Sequence, residues 1–392
     1  MSNYTGQIAS TIHRKLYHIE RENDGFIKMK RAVNKHKNTL FIVDEASMID
    51  NSQSNGSLYS NEGLLDSLMY YVSEGERCRL LLIGDNAQLP PVGRDYSPAL
   101  DENELKNAFN LTIASYELTE VKRQALESGI IYNATRLREK LQTIEQYTLP
   151  LFTIEQFKDI KKASPEEFEE LLYEAFAQDY SPNAVVICKS NKRANLYNQA
   201  IRARILGVEG EIGTGDILMV AKNNYYWTDS EQKIDFIANG DLVEIKKINK
   251  FEEMYGFHFV DAEICFIDSP ESPYINVKIL LETLTSNSPS LTTEESQKLI
   301  DTIEQDYYDI PERNKRWKEM KKNPWLNALQ VKFGYALTCH KTQGGQWSKV
   351  FIDAAFNIKD TIEQEDLRWL YTALTRAQEQ VYLIQFKEEF FE

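Results

Sequence analysis

The chain has 392 residues, more than one core accommodates, so two or three domains are expected. A composition 42% hydrophobic and 27% charged, with no apolar run near the length of a membrane span, argues for a soluble globular protein without a membrane partner. A formal charge of −15 argues against a protein that coats nucleic acid by bulk charge, but leaves room for a local basic groove. Met1–Lys15 is polar and carries no secretory signal pattern, and the four cysteines, Cys78, Cys188, Cys265 and Cys339, have no metal-ligand spacing. Reduced thiols and a cytoplasmic location are the expectation.

The segment around Ile8–Tyr17 reads as a short strand or turn entering a helix, and the basic stretch 20–38, with Asp24-Gly25 as its turn, as a small hairpin. Thr39–Asp44 (TLFIVD) and Arg79–Gly84 (RLLLIG) are apolar runs of the kind buried on both faces of a parallel sheet. The first delivers Asp44 and Glu45 at its carboxyl end, and the second the loop Asp85–Gly93 containing Gln88; open α/β sheets bind ligands at such ends. Lys122 and Arg123 follow a short extended stretch, and a helix is expected over roughly 128–142. Ser164-Pro165-Glu166-Glu167 has the form of a capping box, opening an amphipathic helix.

Ala184–Cys188 and the helix after Asn191 begin a second α/β domain. Over 213–288 the pattern changes to short strands separated by Gly, Asn, Asp and Pro, which predicts a compact β-barrel separable from the α/β core. A charged helical tract fills 291–327, and the α/β pattern resumes near Gln330. Tyr335–Val350 (YALTCHKTQGGQWSKV) then places His340, Lys341, Gln343, Gly344 and Gln346 on a glycine-bearing loop between apolar strands. Arg376 sits in the uncharged helix pattern YTALTRA, where a lone cation calls for a role.

An acidic pair after a buried strand suits nucleotide hydrolysis: one carboxylate holds Mg²⁺, the other activates water. Gln88 can hydrogen-bond a γ-phosphate or the attacking water, and Arg123 and Arg376 can neutralise charge on a transferred phosphoryl group. Either arginine alone would read as a surface salt bridge; the four segments in this order carry more weight.

Together they resemble superfamily 1 DNA helicases, in the branch containing RecD and Dda. Asp44–Met48 resembles motif II, Gly84–Val92 motif III, Leu118–Gln124 motif IV, Ala336–Gly344 motif V and Tyr371–Ala377 motif VI; Thr11–Arg14 matches a stretch preceding motif II. The resemblance implies two RecA-like parallel-sheet domains with ATP between them, and an SH3-like barrel inserted in the second. The corresponding boundaries are 1–125 for the first domain, 126–183 for a helical connection, 184–212 with 328–392 for the second domain, and 213–327 for the barrel and its helical segment. It also implies single-stranded DNA as partner, 5′→3′ movement, and ATP with Mg²⁺ as cofactors. Asp44 and Glu45 take over metal binding and water activation. Gln88, Arg123 and Arg376 contact phosphates, Gly344 and Gln346 line the nucleotide, and His340, Lys341, Thr342, Thr11 and His13 serve the nucleic acid. Read from the residues alone, Trp347 is a further stacking candidate, although a Trp just before an apolar strand is more often core.

This sequence departs from the branch in reading Gly344-Gly345-Gln346, where Ser and Glu more often follow the first Gly, and in having no G-x-x-x-x-G-K-[ST] phosphate loop. The first RecA-like domain is therefore expected to be truncated at its N-terminus, and ATP turnover by the chain alone to be weak. The missing segment, or a partner helicase or nuclease subunit, would be a further partner. A non-catalytic DNA-binding or scaffold module of helicase fold is the alternative, and a nucleotide-binding regulator without nucleic acid a third reading.

Overall fold

The computed structural model describes residues 9–21, 27–51, 63–119, 127–143, 148–177, 183–228, 236–269, 271–353 and 362–392. The chain divides into two compact units, Met1–Val121 and Lys122–Glu392.

In the first unit, Thr11 caps a one-turn helix, Ile12–Leu16, its hydroxyl accepting the Arg14 amide at 3.3 Å. Strands β1 (Tyr17–Arg21) and β2 (Ile27–Arg31) form an antiparallel hairpin. Strands β3 (Leu40–Val43) and β4 (Arg79–Leu82) pair in parallel, Leu40 opposite Arg79 and Val43 opposite Leu82. Helix Leu64–Glu74 connects them and packs Leu65, Leu68, Tyr71 and Val72 with Leu16, Val43 and Ala46. The expectation that β3 and β4 are buried on both faces is corrected here. Among the described residues only one face carries a packed layer; on the other, Leu40 and Ile42 are each 54% exposed and Leu81 43%.

The second unit holds a five-stranded sheet of β5 (Ile160–Ala163), β6 (Ala184–Cys188), β12 (Ala336–Thr338), β13 (Trp347–Asp353) and β14 (Ala377–Ile384). Its order is β12-β6-β13-β14-β5 and every pairing is parallel. Strand β6 is buried throughout, as its unbroken AVVIC run requires. The capping box at Ser164 forms as its sequence predicts: the hydroxyl takes the Glu167 amide while the Glu167 carboxylate takes the Ser164 amide. Strand β5, a four-residue IKKA segment too short to read from periodicity, brings part of the tract 126–183 into this sheet.

The β-rich tract closes into a five-stranded barrel of β7 (Ile217–Val220), β8 (Leu242–Met254), β9 (Phe257–Phe266), β10 (Ile275–Leu280) and β11 (Leu329–Phe333). Tyr255 and Gly256, both at positive φ, make the tight β8–β9 turn. Strand β11 lies beyond the helical tract in sequence and seals the barrel between β10 and β7. The barrel is not separable in the manner expected from composition. One continuous core runs from Val186 of the parallel sheet through Ile217 and Val331 to Ile264 of the barrel.

Candidate nucleotide and nucleic-acid sites

The first unit assembles the acidic end. The Ala46 amide donates to the Ile83 carbonyl at 2.8 Å, tying the turn after β3 to the end of β4. Gly84 allows this closeness, since a Cβ there would lie 2.8 Å from the Ser47 nitrogen. Asp44 is exposed, and its Oδ1 accepts the Glu45 amide at 3.1 Å. Glu45 is held at φ 53°, a left-handed conformation uncommon outside glycine and often retained at working sites.

Beyond β4, the Asp85 carboxylate takes the Ala87 amide at 3.0 Å and its carbonyl takes the Gln88 amide at 3.1 Å. That turn sends Gln88 inward, where it is 8% exposed and its Oε1 has no hydrogen-bond partner among the described residues. Ser47 is fully buried and its hydroxyl is likewise unpartnered among the described residues. Buried polar atoms without partners are rare. The two here lie on the adjoining turns that also carry Asp44 and Glu45, and an acceptor beside an exposed carboxylate suits a hydrated, phosphate-bearing ligand. The sequence reading missed Ser47; its signal was a hydroxyl between the apolar Ala46 and Met48. Thr11 is exposed at its helix cap, and His13 is half-buried, which pushes its imidazole pKa down. Arg123 lies outside the described residues.

In the second unit, β12 leads into the one-turn helix Cys339–Thr342. His340 and Lys341 are half-buried, and desolvation lowers the pKa of both, partly offset for His340 by Glu365. Lys341 Nζ donates to Asn239 Oδ1 of the β7–β8 loop at 2.6 Å. Thr342 is fully buried and its hydroxyl donates to the Cys339 carbonyl at 2.8 Å, so its side chain shapes the loop. Gly344 adopts φ 78°, and Gly345 packs flat on Trp347, where a Cβ would meet the ring at 2.5 Å. Trp347 is 5% exposed and belongs to the packed interior, not to a stacking surface.

Arg376 is buried too, at 4% exposure, with its guanidinium donating to the Thr372 and Gly345 carbonyls at 3.1 and 3.4 Å. Its own carbonyl accepts the Trp347 amide at 3.0 Å, so the arginine and the glycine loop form one substructure. Gln346 is exposed and accepts from Gln378 Nε2 at 3.0 Å.

Residues 333–384 match the UvrD-like helicase C-terminal domain family, and residues 1–94 the AAA domain family. The chain is 23% identical over 408 residues to "Uncharacterized protein R530" of Acanthamoeba polyphaga mimivirus, across 87% of this chain and 74% of that protein. It is 24% identical over 413 residues to "Uncharacterized protein MJ1519" of Methanocaldococcus jannaschii, across 96% of this chain but 32% of that protein. Solved structures found similar to the chain include the Pif1 helicase from Bacteroides in complex with ADP-AlF3 and ssDNA, at TM-score 0.42 and 15% identity, covering 90% of this chain and 72% of that one. The Pif1 helicase from Candida albicans gives TM-score 0.41 and 13% identity over the same shares, 90% and 72%. The two family matches, one toward each end of the chain, support a superfamily 1 helicase.

Proposed function

We propose that the chain acts on single-stranded DNA as an ATP-dependent, 5′→3′ helicase or translocase of the RecD- and Dda-like branch, working in the cytoplasm. The observation that carries the reading is the juncture of two turns in the first unit. There the exposed carboxylate Asp44, the left-handed Glu45 and the inward, unpartnered Gln88 oxygen stand at the carboxyl ends of paired parallel strands.

Asp44 suits Mg²⁺, a hard cation that takes one or two carboxylates and completes its shell with water and phosphate oxygens. Such a site needs no three-residue cage, and none occurs among the described residues. When bound, the ion would neutralise charge on the nucleotide's phosphates. Glu45 would accept a proton from the attacking water, and Gln88 would offer its amide to the γ-phosphate or that water. His340 and Lys341 face the strand.

No G-x-x-x-x-G-K-[ST] segment occurs in the 392 residues, so these residues by themselves should turn ATP over slowly. That absence also favours the second reading, a DNA-binding module of helicase fold without turnover. The test is turnover of Mg-ATP by the purified chain, with and without oligo-dT, beside binding of the labelled oligonucleotide. Slow turnover that Glu45→Gln lowers by a further factor of about 100 is expected. Binding with turnover indifferent to Glu45→Gln selects the module. Absence of both binding and turnover overturns the proposal.

A further inference from the structure

Within the second unit, a cleft opens where the barrel meets the parallel sheet. Lys332 of β11 and Lys341 of the motif V helix line it, together with Asn191, Asn195 and Thr338, and no carboxylate does. Each ammonium has three donors. Lys332 spends one on the Ser286 carbonyl, and Lys341 spends one on Asn239 Oδ1 at 2.6 Å. Among the described residues neither lysine forms an ion pair, in a chain with an excess of 15 negative charges.

Burial drives both amines toward neutrality: Lys332 is brought down to about 8, against a partial counter-effect from Glu295, and Lys341 is lowered as well. Each ammonium has lost hydration to the wall it lines, and an anion seated in the cleft would restore part of what burial removed. The cleft has about 20 Å³ of free volume, enough for roughly one water-sized group. A base or a whole nucleotide does not enter it; one oxygen of a tetrahedral anion does.

We propose that this cleft seats a backbone phosphate of the single strand, with Lys332 of the barrel and Lys341 of motif V holding one phosphate oxygen at its mouth. The inference rests on the DNA-binding reading above and extends it, because it brings the barrel itself into contact with the strand. Lys332 is the residue it adds.

The test uses the full chain and fluorescence anisotropy with labelled oligo-dT over a range of salt. Lys332→Gln should weaken binding about fivefold at low salt and reduce the log–log salt slope by about 0.7, the value of one single-strand phosphate. Lys298→Gln, which removes an exposed lysine from helix Thr293–Glu304, should leave the slope unchanged, and Lys332→Arg should restore it. Circular dichroism checks that each variant is folded. In parallel, amine labelling of Lys332 near pH 8, read by mass spectrometry, should be suppressed by oligo-dT. If the wild type binds and Lys332→Gln behaves as Lys298→Gln, the cleft is not a strand contact, and the inference fails while the DNA reading stands. Protection by inorganic phosphate but not by oligo-dT would show a free-anion site and overturn the backbone assignment. A wild type that binds no oligo-dT removes both.

Discussion

At Asp216 the fully buried carboxylate takes Arg202 Nε and Nη2, each at 2.8 Å, the Gly213 amide at 2.7 Å and the Tyr335 hydroxyl at 3.2 Å. The guanidinium also lies 4.2 Å from the centre of the Phe333 ring. Breaking such a pair from one side strands a buried charge, whereas removing both partners does not. Asp216→Ala should therefore cost about 3–5 kcal/mol in equilibrium urea unfolding. Arg202→Met combined with Asp216→Leu should recover much of that loss. The two loop glycines separate in the same way. Gly344 has open space but φ 78°, so Gly344→Ala should cost about 1 kcal/mol of backbone strain and leave its surroundings in place. Gly345→Ala must displace Trp347, and near-ultraviolet circular dichroism should change in that variant alone.

Among the elements, the turn between β7 and β8 sets the position of Asn239 and through it Lys341. Asp241 holds the turn by accepting the Ala238 amide at 2.7 Å, but burial, with some help from Asp268, raises its pKa to about 6. The folded value lies above the unfolded one. The native state therefore binds the extra proton between about pH 4 and 6, and stability falls as the pH rises through that window. Asp241→Asn keeps the acceptor without the charge. It should stabilise the protein by about 1–2 kcal/mol at pH 7 and by little at pH 4, in thermal melts at the two values. What could be read from sequence here was what local chemistry decides. The strand runs TLFIVD and AVVIC, the Ser164 capping box and the turn residues of motifs II and III all act within a few positions of themselves. The uncovered face of β3 and β4, the closure of the barrel by β11, and the Lys341–Asn239 bond depend on partners far along the chain, to which periodicity is blind. Nothing in the local sequence singles out Lys332; only the arrangement of the cleft distinguishes it.

On the scale of the whole molecule, an excess of 15 negative charges leaves any DNA affinity to local cations, so binding should respond to salt through a few named lysines and not through the bulk. The second unit also has a mechanical character. Only Gly334 and Tyr335 separate barrel strand β11 from sheet strand β12, and both are fastened. The Gly334 amide donates to the Ile217 carbonyl at 2.9 Å, and the Tyr335 carbonyl accepts the Val186 amide at 2.9 Å. The Tyr335 hydroxyl accepts the Ile217 amide at 3.1 Å. Gly334 cannot be enlarged, because a Cβ would fall 2.9 Å from Ile217. A link this short and this restrained is a weld, with no slack in which the barrel could swing. A load placed on the barrel travels directly into β12 and the helix bearing His340 and Lys341. In an optical trap with handles at Lys250 on the barrel and Glu392 at the far end of the sheet domain, Lys122–Glu392 should give way in a single rip; a separate, earlier rip of barrel length would show that the weld yields.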